Sequence, residues 1–419
     1  MPSPAITTVP DSRGAWKTWL AIGAGGFGGP AGQVALLHRE VVERRRWLGE
    51  EEFLAAMRLC MLLPGPEAQQ LATYAGWRLG GIPGGLVAGT LFVLPGALLV
   101  ALLAWAHAAG AGVPLVAAAF AGMRPAVVAV VALAAWRIGR RSLTAWWLGI
   151  VAAVAVGSLV AGCPFPAVAV GAALLGAVIP AGSAAAREPS DGRLPRGPSA
   201  RRHAAIVAAV AVALWLAAYG LVVITNAAGG RGPAIATLFS ETTLLSLGGA
   251  YAVVPWALDE AVARGWLEPP ERFDALAMGE ATPGPLILVV TFIGFLAGWR
   301  TGGGTDIVAG LQGASIATLF AFIPSFAMVL PLAPFVARIH PGSRLARAMA
   351  AIGAVVVAAI VLLAIRLAAA AWLPDGAPEI VPMAASLVAA CALAIGKVPT
   401  PIVIVAAAAL GIATAAVGG

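Results

Sequence analysis

Residues 86–106 read LVAGTLFVLPGALLVALLAWA, 21 positions without a charged side chain. At about 1.5 Å per helical residue this stretch reaches roughly 30 Å, the thickness of a bilayer's hydrocarbon core. Working outward, uncharged runs of similar or greater length recur at 142–186, 204–230, 307–337 and 398–419. They are rich in Ala, Leu and Val and show no alternation with period two, which predicts helices rather than a transmembrane β-barrel. Of the 419 residues 60% are hydrophobic and 11% charged, less than half the charged share of an ordinary soluble domain. The expected fold class is all-α, a polytopic membrane protein.

No cleavable signal peptide is expected, because the first 13 residues carry Pro2, Pro4, Pro10 and Asp11 in place of a basic start and a short apolar stretch. Cys60, Cys163 and Cys391 stand singly in apolar segments and predict neither a disulfide nor a metal site. The net charge of +7 comes from arginines at the ends of apolar runs, a pattern of membrane orientation and not of nucleic-acid binding.

Residues 184–203 break the apolar pattern with Pro189, Pro195 and Pro198 and five arginines. They predict a solvated cytoplasmic linker between a unit at 1–183 and a second at 204–419. The two units repeat each other. Gly28-Gly29, Trp47-Leu48 and Pro64-Gly65-Pro66 are answered by Gly248-Gly249, Trp266-Leu267 and Pro283-Gly284-Pro285, with 17 residues from Trp to the first Pro in both (47 to 64, 266 to 283). Further on, Arg137 lies 229 positions before Arg366.

Matching loops differ in charge: Arg140 and Arg141 follow Arg137, whereas Asp375 and Glu379 follow Arg366. That difference predicts two units of inverted topology, with the crossing at 204–230 supplying the flip and the C-terminus falling outside the cytoplasm. The stretches at 16–37 and 53–77 are too interrupted to be plain spans. They are either re-entrant hairpins or full crossings.

The prolines and glycines of the two Pro-Gly-Pro motifs break a helix at membrane depth, and Pro66 and Pro285 suit the first position of a following half-helix whose N–H groups attract anions. Pro30, after Gly28-Gly29, predicts a third such start. A proline in a membrane helix can simply kink it, but repetition at matched positions favours a functional break. Polar groups gather at these breaks: Gln33, Glu67, Gln69, Gln70, Thr73, Tyr74, Glu280 and Thr282. Glu67 and Glu280 are candidate proton carriers, since ionisable groups in a bilayer mark pathways; either could instead be a protonated structural carboxyl. Arg58, about 9 Å along a helix from Pro64, and Arg124, inside an apolar run, are candidates for pairing with a bound anion. An arginine in either place can also snorkel to the interface.

Other motifs fail on context. Gly23-Ala24-Gly25-Gly26-Phe27-Gly28 fits the dinucleotide fingerprint without a preceding strand, and no P-loop sequence occurs. The four histidines lack ligand spacing. No cofactor and no catalytic activity are expected.

The segment Phe27-Gly28-Gly29-Pro30-Ala31-Gly32-Gln33, with His38-Arg39-Glu40 and Leu63-Pro64-Gly65-Pro66-Glu67-Ala68-Gln69-Gln70-Leu71-Ala72-Thr73-Tyr74, closely resembles the chromate ion transporter family. Gly248-Gly249-Ala250-Tyr251 and Gly279-Glu280-Ala281-Thr282-Pro283-Gly284-Pro285 resemble that family's C-terminal unit. The resemblance covers nearly the whole chain and implies the long-chain, two-domain branch. It further implies secondary active export of chromate from the bacterial cytoplasm, coupled to the membrane potential or the proton gradient, with sulfate or another oxyanion left open. The partners implied are the oxyanion, protons and the lipid bilayer, with a homodimer left open.

Overall fold

The computed structural model of the chain describes residues 12–110, 112–179, 198–226, 229–246, 251, 253–338, 344–374, 376–395 and 398–418. Most of the linker predicted at 184–203, together with Gly248, Gly249 and Asp375, lies outside the described residues. Among those described there are sixteen α-helices and no strand. In lipid every backbone N–H and C=O needs a partner within the chain, so Ala-, Leu- and Val-rich runs close their hydrogen bonds locally as helices.

The chain forms α1 (Ser12–Ala24), α2 (Gly29–His38), α3 (Glu50–Leu62), α4 (Glu67–Ala109), α5 (Pro114–Ser142), α6 (Trp146–Val160), α7 (Phe165–Val178) and α8 (Pro198–Thr225). It continues as α9 (Gly232–Leu245), α10 (Val254–Ala263), α11 (Glu271–Ala281), α12 (Val289–Thr301), α13 (Ile307–Leu332), α14 (Arg344–Trp372), α15 (Ile380–Ala394) and α16 (Thr400–Gly418). Five helices are long and apolar enough to cross a membrane: α4, α5, α8, α13 and α14. The protein is a multi-pass membrane protein. The uncharged run at 142–186 is not one span: Gly162, with φ +87°, and Pro164 divide it into α6 and α7, of 15 and 14 residues.

Element order repeats once α4 is seen as two helices. Gly80 (φ −142°, ψ 25°) and Gly81 (φ 61°, ψ −154°) interrupt it, so its two parts correspond to α12 and α13. Packing is exchanged between the halves. α5 packs on α15 and α16, while α14 packs on α6 and α7; α4 meets α13 at the centre, and α1 leans on α4 as α9 leans on α13. Small residues permit these approaches, as where a Cβ on Gly122 of α5 would sit 2.7 Å from the Cα of Gly411 on α16.

The interrupted stretch at 53–77 forms a hairpin and not one full crossing. α3 has 13 residues, about 20 Å at helical rise and too short to span about 30 Å. The chain then turns at Pro64-Gly65-Pro66 and comes back, so that Arg78 Nε donates to Glu52 Oε1 at 2.7 Å and the Tyr74 hydroxyl donates to the same carboxylate at 3.0 Å. Both ends of this hairpin share one mouth. The second unit repeats the device: Arg300 donates to Glu271 at 2.8 Å across the mouth of the α11–α12 hairpin.

One difference separates the units here. From Gly29 to Trp47 there are 18 positions and from Gly249 to Trp266 there are 17. The extra residue is absorbed as a π-helical turn, Arg39–Arg44. It preserves what surrounds it: Arg44 pairs with Glu40 (2.8 Å) as Arg264 pairs with Glu260 (3.1 Å), and a guanidinium lies over Trp47 as another lies over Trp266. Burial pushes the Glu40 carboxyl up, but hydrogen bonds and charge from Arg44 and Arg45 outweigh it and hold the group below its ordinary value.

Candidate functional site

The two Pro-Gly-Pro motifs form the hairpin tips. Around the first, Leu63 is extended (ψ 144°), Gly65 has φ +121° and Pro66 is extended again before α4 begins at Glu67. Around the second, Thr282 is extended, Gly284 has φ +104°, and Pro285 precedes a 3₁₀ turn, Leu286–Leu288, that leads into α12. A side chain at either glycine would be strained at these φ values. Pro66 and Pro285 thus stand one residue before the helical start expected of them, and Glu67 and Leu286 occupy the first positions. Pro30 lies on the first turn of α2, entered through Gly28 (φ 91°) and Gly29 (φ 67°).

Each tip is tied to the opposite unit. Gly284 N–H donates to the Gly26 carbonyl at 3.0 Å, and Gly65 N–H donates to the Ser246 carbonyl at 3.5 Å. Gly26 and Ser246 hold equivalent places, two residues before the paired glycines of their units. Gln33, fully buried, donates through Nε2 to both Gly26 O (3.2 Å) and Gly284 O (2.5 Å), which clamps the first-unit loop to the second-unit tip. Behind the tips the same exchange holds. Gly96 of α4 abuts Pro283, and Ser325 of α13, 229 positions on, abuts Gly65.

Between the two tips lies a cavity lined by Pro30, Gln33, Pro66, Glu67, Ala68, Pro285 and Leu286. Its volume is about 10 Å³, room for about one water. A tetrahedral oxyanion enters only if the walls part. Three helix starts converge here, those of α2, α4 and the turn leading into α12, and their free N–H groups give the cavity a positive rim with a single carboxylate, Glu67, set in it.

The other predicted residues divide into those near the tips and those elsewhere. Gln70 lies just behind the first tip, donating through Nε2 to Pro64 O at 2.6 Å, and Gln69 donates to Thr73 Oγ1 at 3.0 Å. The oxygens Gln69 Oε1, Gln70 Oε1 and Ser325 Oγ are buried without a hydrogen-bond partner. Thr282 is buried and donates to Met278 O. Tyr74 does not line the cavity, since its hydroxyl is committed to Glu52 at the mouth. Glu280 is likewise apart from it and accepts a hydrogen bond from Tyr251. Arg58 is exposed on α3. Arg124, on α5, is close enough for its charge to act on Asp274 of α11, away from the cavity lining.

Sequence reading missed Gly26, Ser246, Gly96 and Ser325. A signal for the last two was present, because the 229-residue offset that relates Arg137 to Arg366 also sets Pro95-Gly96 on Pro324-Ser325. Among the described residues no group of three or more His, Cys, Asp or Glu could hold a metal.

Comparison with known proteins adds a family. The family model described as "Chromate transporter" matches residues 14–179 and 233–412. A chromate transport protein of Pseudomonas aeruginosa is 32% identical over 317 residues, 74% of this chain and 70% of that one. A probable chromate transport protein of Synechococcus elongatus is 29% identical over 320 residues, 76% of this chain and 74% of the relative. An uncharacterized transporter of Methanocaldococcus jannaschii is 25% identical over 327 residues, 78% of this chain and 76% of its own. No solved structure matches significantly.

Proposed function

The chain belongs to the chromate transporter family, and from that premise we propose that it is a secondary carrier exporting chromate across the bacterial cytoplasmic membrane against a proton flux. The observation that carries the reading is the cross-unit closure of the cavity, in which the tip of one unit's hairpin is hydrogen-bonded to the loop of the other. A dianion needs N–H donors and a positive potential, and three converging helix starts supply both without a buried cation. Gln33, Gln69, Gln70 and Thr73 add polar contacts once the tips separate.

Inverted insertion of the two units is part of the reading, and the path of α4 supports it. Its second part leaves the first hairpin's mouth at Gly81 and runs some 26 residues, about 40 Å, to His107. There His107 Nε2 lies 3.3 Å from Glu271, at the mouth of the second hairpin. Mouths that far apart along one crossing helix open on opposite faces of a bilayer. The tips then meet near its middle, reached from one side or the other as either hairpin moves. Glu67, the one carboxylate in the cavity lining, is the proton carrier in this scheme: it takes a proton on the outer face and gives it up on the inner face, on the return leg that carries no chromate.

Uptake of labelled chromate into inverted vesicles tests the proposal. An imposed proton gradient should raise uptake several-fold over vesicles lacking the protein, and excess sulfate, a tetrahedral dianion of similar shape, should compete. Equal uptake with and without verified protein overturns the transport reading. Uptake indifferent to the gradient overturns the coupling.

A further inference from the structure

The mouths of the two hairpins are built alike in one respect and differently in another. Both carry the same ion pair, Glu52 with Arg78 and Glu271 with Arg300. The second mouth holds three more ionisable groups: His107 at the end of α4, Arg124 on α5 and Asp274 on α11. Their equivalents at the first mouth carry no charge. Ala55 stands 219 positions before Asp274, and Val336 and Gly353 stand 229 positions after His107 and Arg124.

His107 is set between two carboxylates. Its Nε2 lies 3.3 Å from Glu271 Oε1 and its Nδ1 lies 3.9 Å from Asp274 Oδ2, with the side chains 13%, 12% and 5% exposed. Phe120 of α5 meets the imidazole edge-on and Phe292 of α12 meets it at a tilt, at centroid distances of 4.6 and 5.3 Å. The charged groups facing it are Glu271 and Asp274 from α11, Arg124 from α5 and Arg300 from α12, with Glu268 3.8 Å from Arg300 at the rim. Glu271 already has Arg300, whereas Asp274 Oδ1, His107 Nδ1 and Arg124 Nε are buried without a hydrogen-bond partner. The contact between α4 and α11 through Asp274 therefore depends on charge at nearly 4 Å rather than on a formed hydrogen bond.

We propose that His107 is a proton-operated clasp on the second hairpin's mouth, and that the shielding of its two carboxylate partners, against the exposed partners of His38 at the first mouth, sets which face of the carrier responds to protons. This rests on the carrier reading above. Imidazolium has a donor on each nitrogen and serves Glu271 and Asp274 at once. Neutral imidazole has one, so a lone pair then faces a carboxylate while Glu271 and Asp274, three apart on one helix face, repel each other. Loss of the proton loosens the end of α4 from α11 and frees the second hairpin to move. At the first mouth His38 lies 2.7 Å from Glu50 and 3.2 Å from Glu43, but both carboxylates are exposed, so solvent screens these pairs.

Hydrogen exchange on the full-length protein in lipid nanodiscs, corrected for the pH dependence of the intrinsic rate, reads the clasp without any substrate. Between pH 5.5 and 8, exchange across 103–109 and 271–276 should rise about tenfold in the wild type, following one proton on a histidine. In His107→Gln it should stay at one level. Asp274→Asn, which removes one arm and keeps the volume, should move the midpoint to lower pH. Chromate flux in His107→Gln vesicles should retain a substantial rate and its response to the proton gradient through Glu67, but respond less to pH on the face of the second mouth. A wild type whose corrected exchange ignores pH overturns the clasp, as does a His107→Gln protein with the wild-type response or an Asp274→Asn midpoint that does not move. A wild-type exchange response without chromate flux upholds the clasp and overturns the carrier reading instead.

Discussion

Replacing Gly96 by alanine tests the junction of the tips from behind. In a helix this change ordinarily gains about 1 kcal/mol. Here the new Cβ would lie 2.6 Å from Leu288 Cδ1 and 3.1 Å from the Pro283 carbonyl carbon, and closer still to the Pro283 oxygen. Leu288 can turn aside, but Pro283 is backbone in a tight turn, so the second tip must retreat by about 1 Å. Overpacking of this kind costs about 1–3 kcal/mol. The retreat also stretches the bonds Gly284 makes with Gly26 and Gln33, each worth about 1 kcal/mol. Against the helix gain, the net loss is about 2–4 kcal/mol.

Thermal unfolding in detergent, paired with vesicle uptake, measures both consequences: a lower melting temperature and chromate flux reduced at least about tenfold, since 1.4 kcal/mol is a factor of ten. Ser325→Ala, the equivalent place facing the first tip, is the control. Its hydroxyl has no partner, so its removal should leave stability within about 1 kcal/mol. A Gly96→Ala protein with wild-type melting and flux would refute the packing of the tip against α4.

Two further outcomes follow from charges already placed. Glu67→Gln should fold normally and carry chromate with a flattened dependence on the proton gradient; an unchanged dependence would put the coupling proton elsewhere. Glu40 is held below its ordinary carboxylate value near 4.5 by Arg44 and Arg45, so its folded pKa is lower than its unfolded one. The stability it contributes is complete above about pH 4.5 and fades as pH falls through the depressed folded value. Melting curves of wild type and Glu40→Gln should therefore differ most near neutrality and converge in acid, whereas a gap that widens on acidification would mean the arginines do not stabilise the charged form.

Much of the fold was legible because its signals are local. Uncharged length gives crossings, Pro-Gly-Pro gives breaks, and matched spacing gives the repeat. The hairpin form of 53–77 was open because hydropathy counts residues and not direction; the contact between Glu52 and Arg78 closes its two ends on each other. Arg58 shows how an axial argument fails. Six residues from Pro64 is the right distance along a helix, yet at 3.6 residues per turn it lies about 240° round, and the side chain leaves from an exposed face. Tyr74 and Glu280 sit near the breaks in sequence, but their bonds go to Glu52 and Tyr251, partners chosen by packing between helices. Which tip meets which loop was not readable at all, since the pairing of Gly284 with Gly26 joins positions 258 apart.

The exchange of α5 onto α15 and α16, and of α14 onto α6 and α7, bears on how such a chain can arise and assemble. Neither half owns the partners of its own longest outer helix, so a chain carrying one unit would present those faces bare to lipid until it met a second copy. On the inverted reading that copy must have entered the bilayer the other way up. A one-unit ancestor would have had to insert in both senses and find itself by collision. Joining two copies through α8, an odd crossing that lies at the rim with its apolar window unburied, turns that search into a fixed sequence of synthesis. After the join, each mouth was free to change alone.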